Sequence, residues 1–169
     1  MSSSAAKADG PDEVGDDSGV ACCGRPEGRS LVEIRFDARD TAVGPALDRI
    51  GDELKDAGLR LGDRDTVRIV LAEVFNNIVE HAYAGRAAGK IVAHVEPSED
   101  GVLCTVRDTG IPMPPGPLPG EAFPTVDPLD VDGLPEGDFG WAMVRHLTRD
   151  LVYERQGAEN FLCFTIPPD

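Results

Sequence analysis

The chain is poor in aromatic side chains, in basic residues and in long apolar runs. Trp, Tyr and Phe make up 5% of its 169 residues, so aliphatic side chains must fill most of any core. Lys and Arg number 16 against 31 Asp and Glu, a formal net charge of −15. Such a surface repels nucleic-acid phosphates and anionic lipid headgroups, which argues against nucleic acid and membrane as partners. No stretch approaches the roughly 18–20 apolar residues that span a bilayer. The N-terminus, Met-Ser-Ser-Ser-Ala-Ala-Lys, lacks a basic region followed by an apolar core, so no secretory signal is expected. Cysteine is sparse too. Adjacent Cys22 and Cys23 do not match the separated pairs of zinc sites, and Cys104 and Cys163 fall inside strand-like runs. The expectation is a reduced, cytoplasmic chain without structural metal.

What is present is enough aliphatic material, 41% hydrophobic residues, for one compact domain. Residues 1–28 are rich in Ser, Gly, Asp and Pro and hold too few apolar groups to offset their ordering entropy, so they read as a flexible acidic tail. Val32, Ile34 and Phe36 alternate with charged residues as in a half-buried strand. Asp40 and Thr41 can cap a helix with Pro45 near its first turn, apolar positions Ala46, Leu47, Ile50 and Leu54, and Gly58 as a stop. A second helix, from about Gly62 to Tyr83, buries Val67, Val70, Leu71, Val74, Phe75 and Ile78. Residues 90–96 and 102–107 form a hairpin across a turn-rich linker. A proline-rich stretch, 111–136, reads as a lid or binding loop. A helix from about Phe139 to Thr148 and a closing hairpin across Gln156-Gly157 complete the order. The fold class is α+β: a two-layer sandwich with a mixed or antiparallel sheet and helices on one face.

The chemistry concentrates in the second helix. Glu73, Asn77 and His81 fall at i, i+4 and i+8, and on a helix of 3.6 residues per turn they share one stripe. A carboxylate can take a proton, and a carboxamide oxygen is a hard, uncharged ligand suited to Mg2+. Two Asn in mid-helix, Asn76 and Asn77, disfavour the helix by about half a kcal/mol each against Ala, which points to a use beyond folding. Asp108-Thr-Gly110 follows an apolar run, and Glu136-Gly137-Asp-Phe-Gly140 opens a helical pattern. Free N–H groups at a helix start bind phosphate well.

In this order the three segments resemble the N-box and the two glycine boxes of the GHKL (Bergerat) ATP-binding superfamily. The detail is similar to anti-sigma-factor serine kinases, over roughly Leu31 to Pro167. The resemblance implies a histidine-kinase-like ATP-binding domain at 29–169 that uses ATP and Mg2+. It implies Glu73 as the catalytic base that activates an attacking hydroxyl, and Asn77 as the Mg2+ ligand. Asp108 would accept a hydrogen bond from the adenine amino group, and Gly110 would allow close backbone approach to the base. Gly137, Phe139 and Gly140 would surround the phosphates. Asn160 would lie near the adenine, with Arg145 a helper at the phosphates. The implied partners are a sigma factor and an anti-anti-sigma antagonist, with a homodimer through the sheet edge near the first strand. No phosphoacceptor histidine precedes the domain in this sequence, so serine/threonine rather than histidine phosphorylation is expected. The alternative is a non-catalytic nucleotide-binding module that sequesters its partner, and a third reading is a plain ATP hydrolase. No Lys or Arg occurs between Asp108 and Val144, and Asp138 stands where many relatives carry another glycine.

Overall fold

The structure is a computed structural model that describes residues 32–85, 89–120 and 138–168. The expected tail at 1–28, Gly137 and the greater part of the proline-rich stretch lie outside the described residues. The elements run β1 (Val32–Asp37), α1 (Asp40–Asp56), α2 (Leu61–Asn77), a π-helical turn (Ile78–Ala82), β2 (Lys90–Ser98), β3 (Gly101–Asp108), α3 (Asp138–Leu147), β4 (Arg149–Gln156) and β5 (Glu159–Ile166). The five strands form one sheet in the order β1-β2-β3-β5-β4, and every pairing is antiparallel.

Strand alternation builds the two layers. Val32 and Ile34 of β1, Ile91, Ala93 and Val95 of β2, Val102, Cys104 and Val106 of β3, and Leu162, Phe164 and Ile166 of β5 share one cluster with the buried residues of all three helices. The helices therefore cover one face of the sheet, and successive side chains of each strand turn to the other face. There Phe161 and Cys163 form a small separate cluster. Cys104 and Cys163 are both free thiols, and burial raises the Cys104 thiol far above its usual range.

The first helix departs from the expected start. Arg39 occupies the cap position without a side-chain cap bond, and Asp40 is already helical, with its charge near the positive end of the helix dipole. Pro45 sits inside the helix instead of in its first turn. The stop is as expected. Gly58 has φ +82°, its N–H donates to the Lys55 carbonyl, and the Leu59 N–H donates to the Leu54 carbonyl. This double bond pattern needs a left-handed residue, which glycine supplies at little cost.

The second helix buries the stripe read from the sequence: Val67, Val70, Leu71, Val74, Phe75 and Ile78 are all inaccessible or nearly so. Phe75 meets Phe36 edge to face at 4.9 Å, a pair worth about 0.5–1.5 kcal/mol beyond its buried area. Truncating Phe75→Ala is expected to destabilise the fold by about 3–5 kcal/mol in chemical denaturation, because the site lies at the centre of the core and cannot fully collapse.

Candidate functional site

Two helices and one strand end converge on the predicted residues. Glu73 and Asn77 are half-buried near the end of α2. The Asn77 amide donates to the Glu73 carbonyl at 2.7 Å, one turn back along its own helix. That bond requires the NH2 group, so the assignment of the amide is fixed and Oδ1 is the outward end. Among the described residues neither Asn77 Oδ1 nor the Glu73 carboxylate has a partner. Gly140, in the first turn of α3, lies against both: a Cβ there would fall 2.3 Å from Glu73 Oε2 and 3.9 Å from Asn77 Nδ2. The absent side chain of Gly140 thus leaves room for the Glu73 carboxylate, with the Asn77 carboxamide nearby, at a helix start whose first N–H groups have no intrahelical partner. Phe139, next to it, is exposed.

His81 does not join them. The α-helix passes into a π turn at Ile78, whose i→i+5 bonding breaks the uniform 3.6-residue stripe, and His81 is exposed. Arg145 does not reach the site either. Its guanidinium donates to the carbonyls of Leu118 and Pro119, both at 2.6 Å, and so fastens the loop to α3. Gly120 completes that contact, since a Cβ there would lie 2.4 Å from the Trp141 carbonyl carbon.

The second half of the site is built by strand register. Asp108 ends β3 directly opposite Asn160 of β5, and Asn160 lies opposite Arg155 of β4. All three, with Tyr153, point to the helical side. Asp108 is 5% exposed, and its Oδ1 accepts from the Gly110 N–H at 2.6 Å and from the Asn160 amide at 2.9 Å. Asn160 Oδ1 accepts from the Tyr153 hydroxyl at 2.8 Å and from Arg155 at 2.6 Å. The Tyr153 oxygen in turn accepts from the Met113 N–H at 2.9 Å. Burial raises the Asp108 pKa; the Gly110 N–H, the Asn160 amide and the Arg155 charge oppose the rise. The Ile111 N–H donates to the Ala82 carbonyl at 2.8 Å, which joins this loop to the exit of α2. The space a side chain at Gly110 would need is filled by Ala82, whose carbonyl oxygen would lie 2.6 Å from a Cβ. Gly110 is thus required by helix packing, whatever else it does.

Tyr83, Tyr153 and Arg155 were not legible as site residues. Tyr83 accepts the Thr109 N–H at 3.1 Å and steadies the residue between Asp108 and Gly110. The signal that finds Arg155 is cross-strand register, and the register follows from the two-residue turn after Gln156, where Gly157 has φ +59°. Among the described residues no group of three or more His, Cys, Asp or Glu could hold a metal ion. A hard cation here would be held by one amide oxygen and its own ligand, in keeping with Mg2+ on phosphates. An open groove of about 510 Å³ lies elsewhere, between β1 and α1, and includes none of these residues.

A family model described as histidine kinase-like ATPase domain matches residues 36–166. No curated protein matches the chain. Among solved structures, the blue-light activated histidine kinase of Erythrobacter litoralis EL346 superposes with a TM-score of 0.50 at 19% identity, over 74% of this chain and 41% of that one. A histidine kinase domain from the same protein gives a TM-score of 0.44 at 21% identity, over 74% and 60%. The chain spans less than two thirds of either. The first likeness supports the fold.

Asp108 generates a stability prediction. A carboxyl whose pKa is raised by folding stabilises the fold most below its unfolded value, near 3.8, and that contribution is lost as pH rises through the folded value. Asp108→Asn keeps an oxygen for both donors and removes the buried charge. Denaturation across pH is expected to show the variant gaining on the parent from 3.8 upward, then levelling off once pH has passed the raised folded value. A variant that loses ground as pH rises would contradict the assigned cause.

Proposed function

The chain belongs to the histidine kinase-like ATPase domain family, and on that premise we propose that it binds Mg-ATP as an anti-sigma-factor-type serine/threonine kinase. In this reading residues 29–169 are the ATP-binding domain, an anti-anti-sigma antagonist is the phosphoacceptor, and a sigma factor is the protein held inactive. The observation that carries it is the meeting of Glu73, Asn77 and Gly140. A carboxylate without a partner among the described residues and a carboxamide stand beside a helix start, groups that phosphoryl transfer to a hydroxyl uses. No helix among the described residues is long and apolar enough to cross a membrane.

Each residue then has a role set by its surroundings. Glu73 takes the proton of the incoming serine or threonine hydroxyl, since its carboxylate makes no ion pair among the described residues. The N–H groups at the start of α3 hold phosphate oxygens, with Gly140 letting the backbone approach. Asp108, aimed by Gly110 and Asn160, accepts from the adenine amino group, a task that suits a group that only accepts. Asn77 Oδ1 would hold Mg2+, which supplies charge neutralisation to the phosphates when bound.

One observation favours the non-catalytic module as a second reading. Arg145, the cation expected to help, is committed to loop carbonyls. Positive groups near the transferred oxygens normally contribute much of the rate. Labelled ATP and the antagonist separate the two. Glu73→Gln is expected to reduce transfer to serine or threonine by about a hundredfold or more while nucleotide affinity changes little. Equal transfer by the variant would remove Glu73 from the chemistry, and binding without any transfer by the parent would favour the module. Gly140→Ala is expected to leave the fold intact, because the atom it meets is the free end of a side chain, yet to displace Glu73 and cut transfer by about tenfold or more.

A further inference from the structure

Asn160 is buried, 3% exposed, between two residues aligned with it across the sheet, Asp108 of β3 and Arg155 of β4. A carboxamide in such a place has two settings, since its oxygen and its NH2 group can change places. Two donors choose between them. The Tyr153 hydroxyl at 2.8 Å and the Arg155 guanidinium at 2.6 Å reach the same end, so that end is the oxygen. The NH2 end is thereby turned to Asp108 Oδ1 at 2.9 Å, with the Gly110 carbonyl at 3.4 Å beside it. A reversed amide would set NH2 against a guanidinium and oxygen against a carboxylate, and would leave buried groups without partners.

Arg155 is an exposed cation in a chain of net charge −15, yet its bonds go to neutral oxygens. Besides Asn160 Oδ1 these are the carbonyls of Gly110 at 3.2 Å and Gly157 at 3.1 Å. The planar guanidinium therefore acts as a clamp of fixed direction. Tyr153 is held as well: its oxygen accepts the Met113 N–H at 2.9 Å, and its proton goes to Asn160. At Asp108 the result is asymmetric. Oδ1 receives the Gly110 N–H at 2.6 Å and the Asn160 NH2, while Oδ2 has no partner among the described residues. Burial works against the ionised carboxyl; the Gly110 bond, the Asn160 bond and the Arg155 charge favour it. The ionised form offers Oδ2 as an acceptor with no proton to give.

We propose that Tyr153 and Arg155 determine base specificity: by fixing the Asn160 amide they keep Asp108 Oδ2 as an acceptor alone, and the site takes purine nucleotides with a 6-amino group while turning away those with a 6-oxo group. Both are positioning residues, acting on the base through Asn160 and Asp108. An amino group gives Oδ2 the hydrogen it lacks. An oxo group sets a second acceptor against it, and a buried group left unpaired in this way discriminates strongly. The proposal rests on the reading of Asp108 as the residue that meets the base.

The test titrates the full chain by calorimetry with ADP and with inosine diphosphate, each with Mg2+. The two nucleotides differ at the purine 6 position, amino against oxo, with the N1 proton that accompanies the oxo form. The parent is expected to favour ADP by about tenfold or more. In a Tyr153→Phe, Arg155→Met double variant that ratio is expected to fall by about fivefold or more, chiefly through weaker ADP binding. A merely structural role would weaken both nucleotides alike and leave the ratio unchanged. Asp108→Asn is expected to turn the preference toward inosine diphosphate, because Oδ1 of the new side chain keeps both donors and its NH2 then stands where Oδ2 stood. Circular dichroism checks that the double variant folds; should it not, Tyr153→Phe alone serves, with the same direction expected. An unchanged ratio in the double variant, with Asp108→Asn losing the preference for ADP, would overturn the proposal and spare the reading of Asp108. A parent without preference, or an Asp108→Asn variant that keeps it, would overturn both.

Discussion

The contact on which the site depends is steric. Gly140 of α3 lies so close to Glu73 of α2 that not even a methyl group fits between them. This closeness brings the start of one helix to the side of another, and with it the Glu73 carboxylate and the Asn77 carboxamide, which pairs only with its own helix among the described residues, to N–H groups without intrahelical partners. A side chain at this position would displace the Glu73 carboxylate. The core then fixes how α2 is rotated. Val67, Val70, Leu71, Val74 and Phe75 are sealed against the sheet, so Glu73 and Asn77 are held at the border of the buried stripe and cannot turn freely into solvent.

The opposite wall is held by hydrogen bonds. Asp108 is buried, which disfavours its charge, and the Gly110 N–H and the Asn160 amide hold it in place, with Arg155 bonded in turn to Asn160 Oδ1 and the Gly110 carbonyl. Tyr153 extends the network to Met113, and Ile111 is tied to Ala82 at the end of α2. The loop after β3 is thus linked to the last two strands and to the helix that carries Glu73. A buried carboxylate with one oxygen doubly bonded is costly to keep and well aimed, a combination typical of a group retained for binding.

Much of this was legible in the sequence because it follows from period and punctuation. The buried stripe of α2, the stop at Gly58 and the β2–β3 hairpin need only helical spacing and glycine placement, whereas the approach of Glu73 and Asn77 to Gly140 was legible only through the family resemblance. The rest depends on three-dimensional register. Asn160 and Arg155 become partners of Asp108 because three strands are aligned to the residue, which no local pattern states. Arg145 looked free in a stretch without other cations, yet loop carbonyls capture it. His81 fell on a stripe only for a uniform helix, and the π turn at Ile78 has no marker residue. The start of α1 at Asp40, with Arg39 at the cap and no side-chain cap bond, departs from capping preference.

The most direct measurement of the central claim is an amide-shift titration of the full chain with a non-hydrolysable ATP analogue and Mg2+. The expected result is perturbation concentrated at Glu73 to Asn77, Asp108 to Gly110 and Phe139 to Gly140. Saturating nucleotide that leaves these amides unmoved, or moves only β1 and α1, would contradict it.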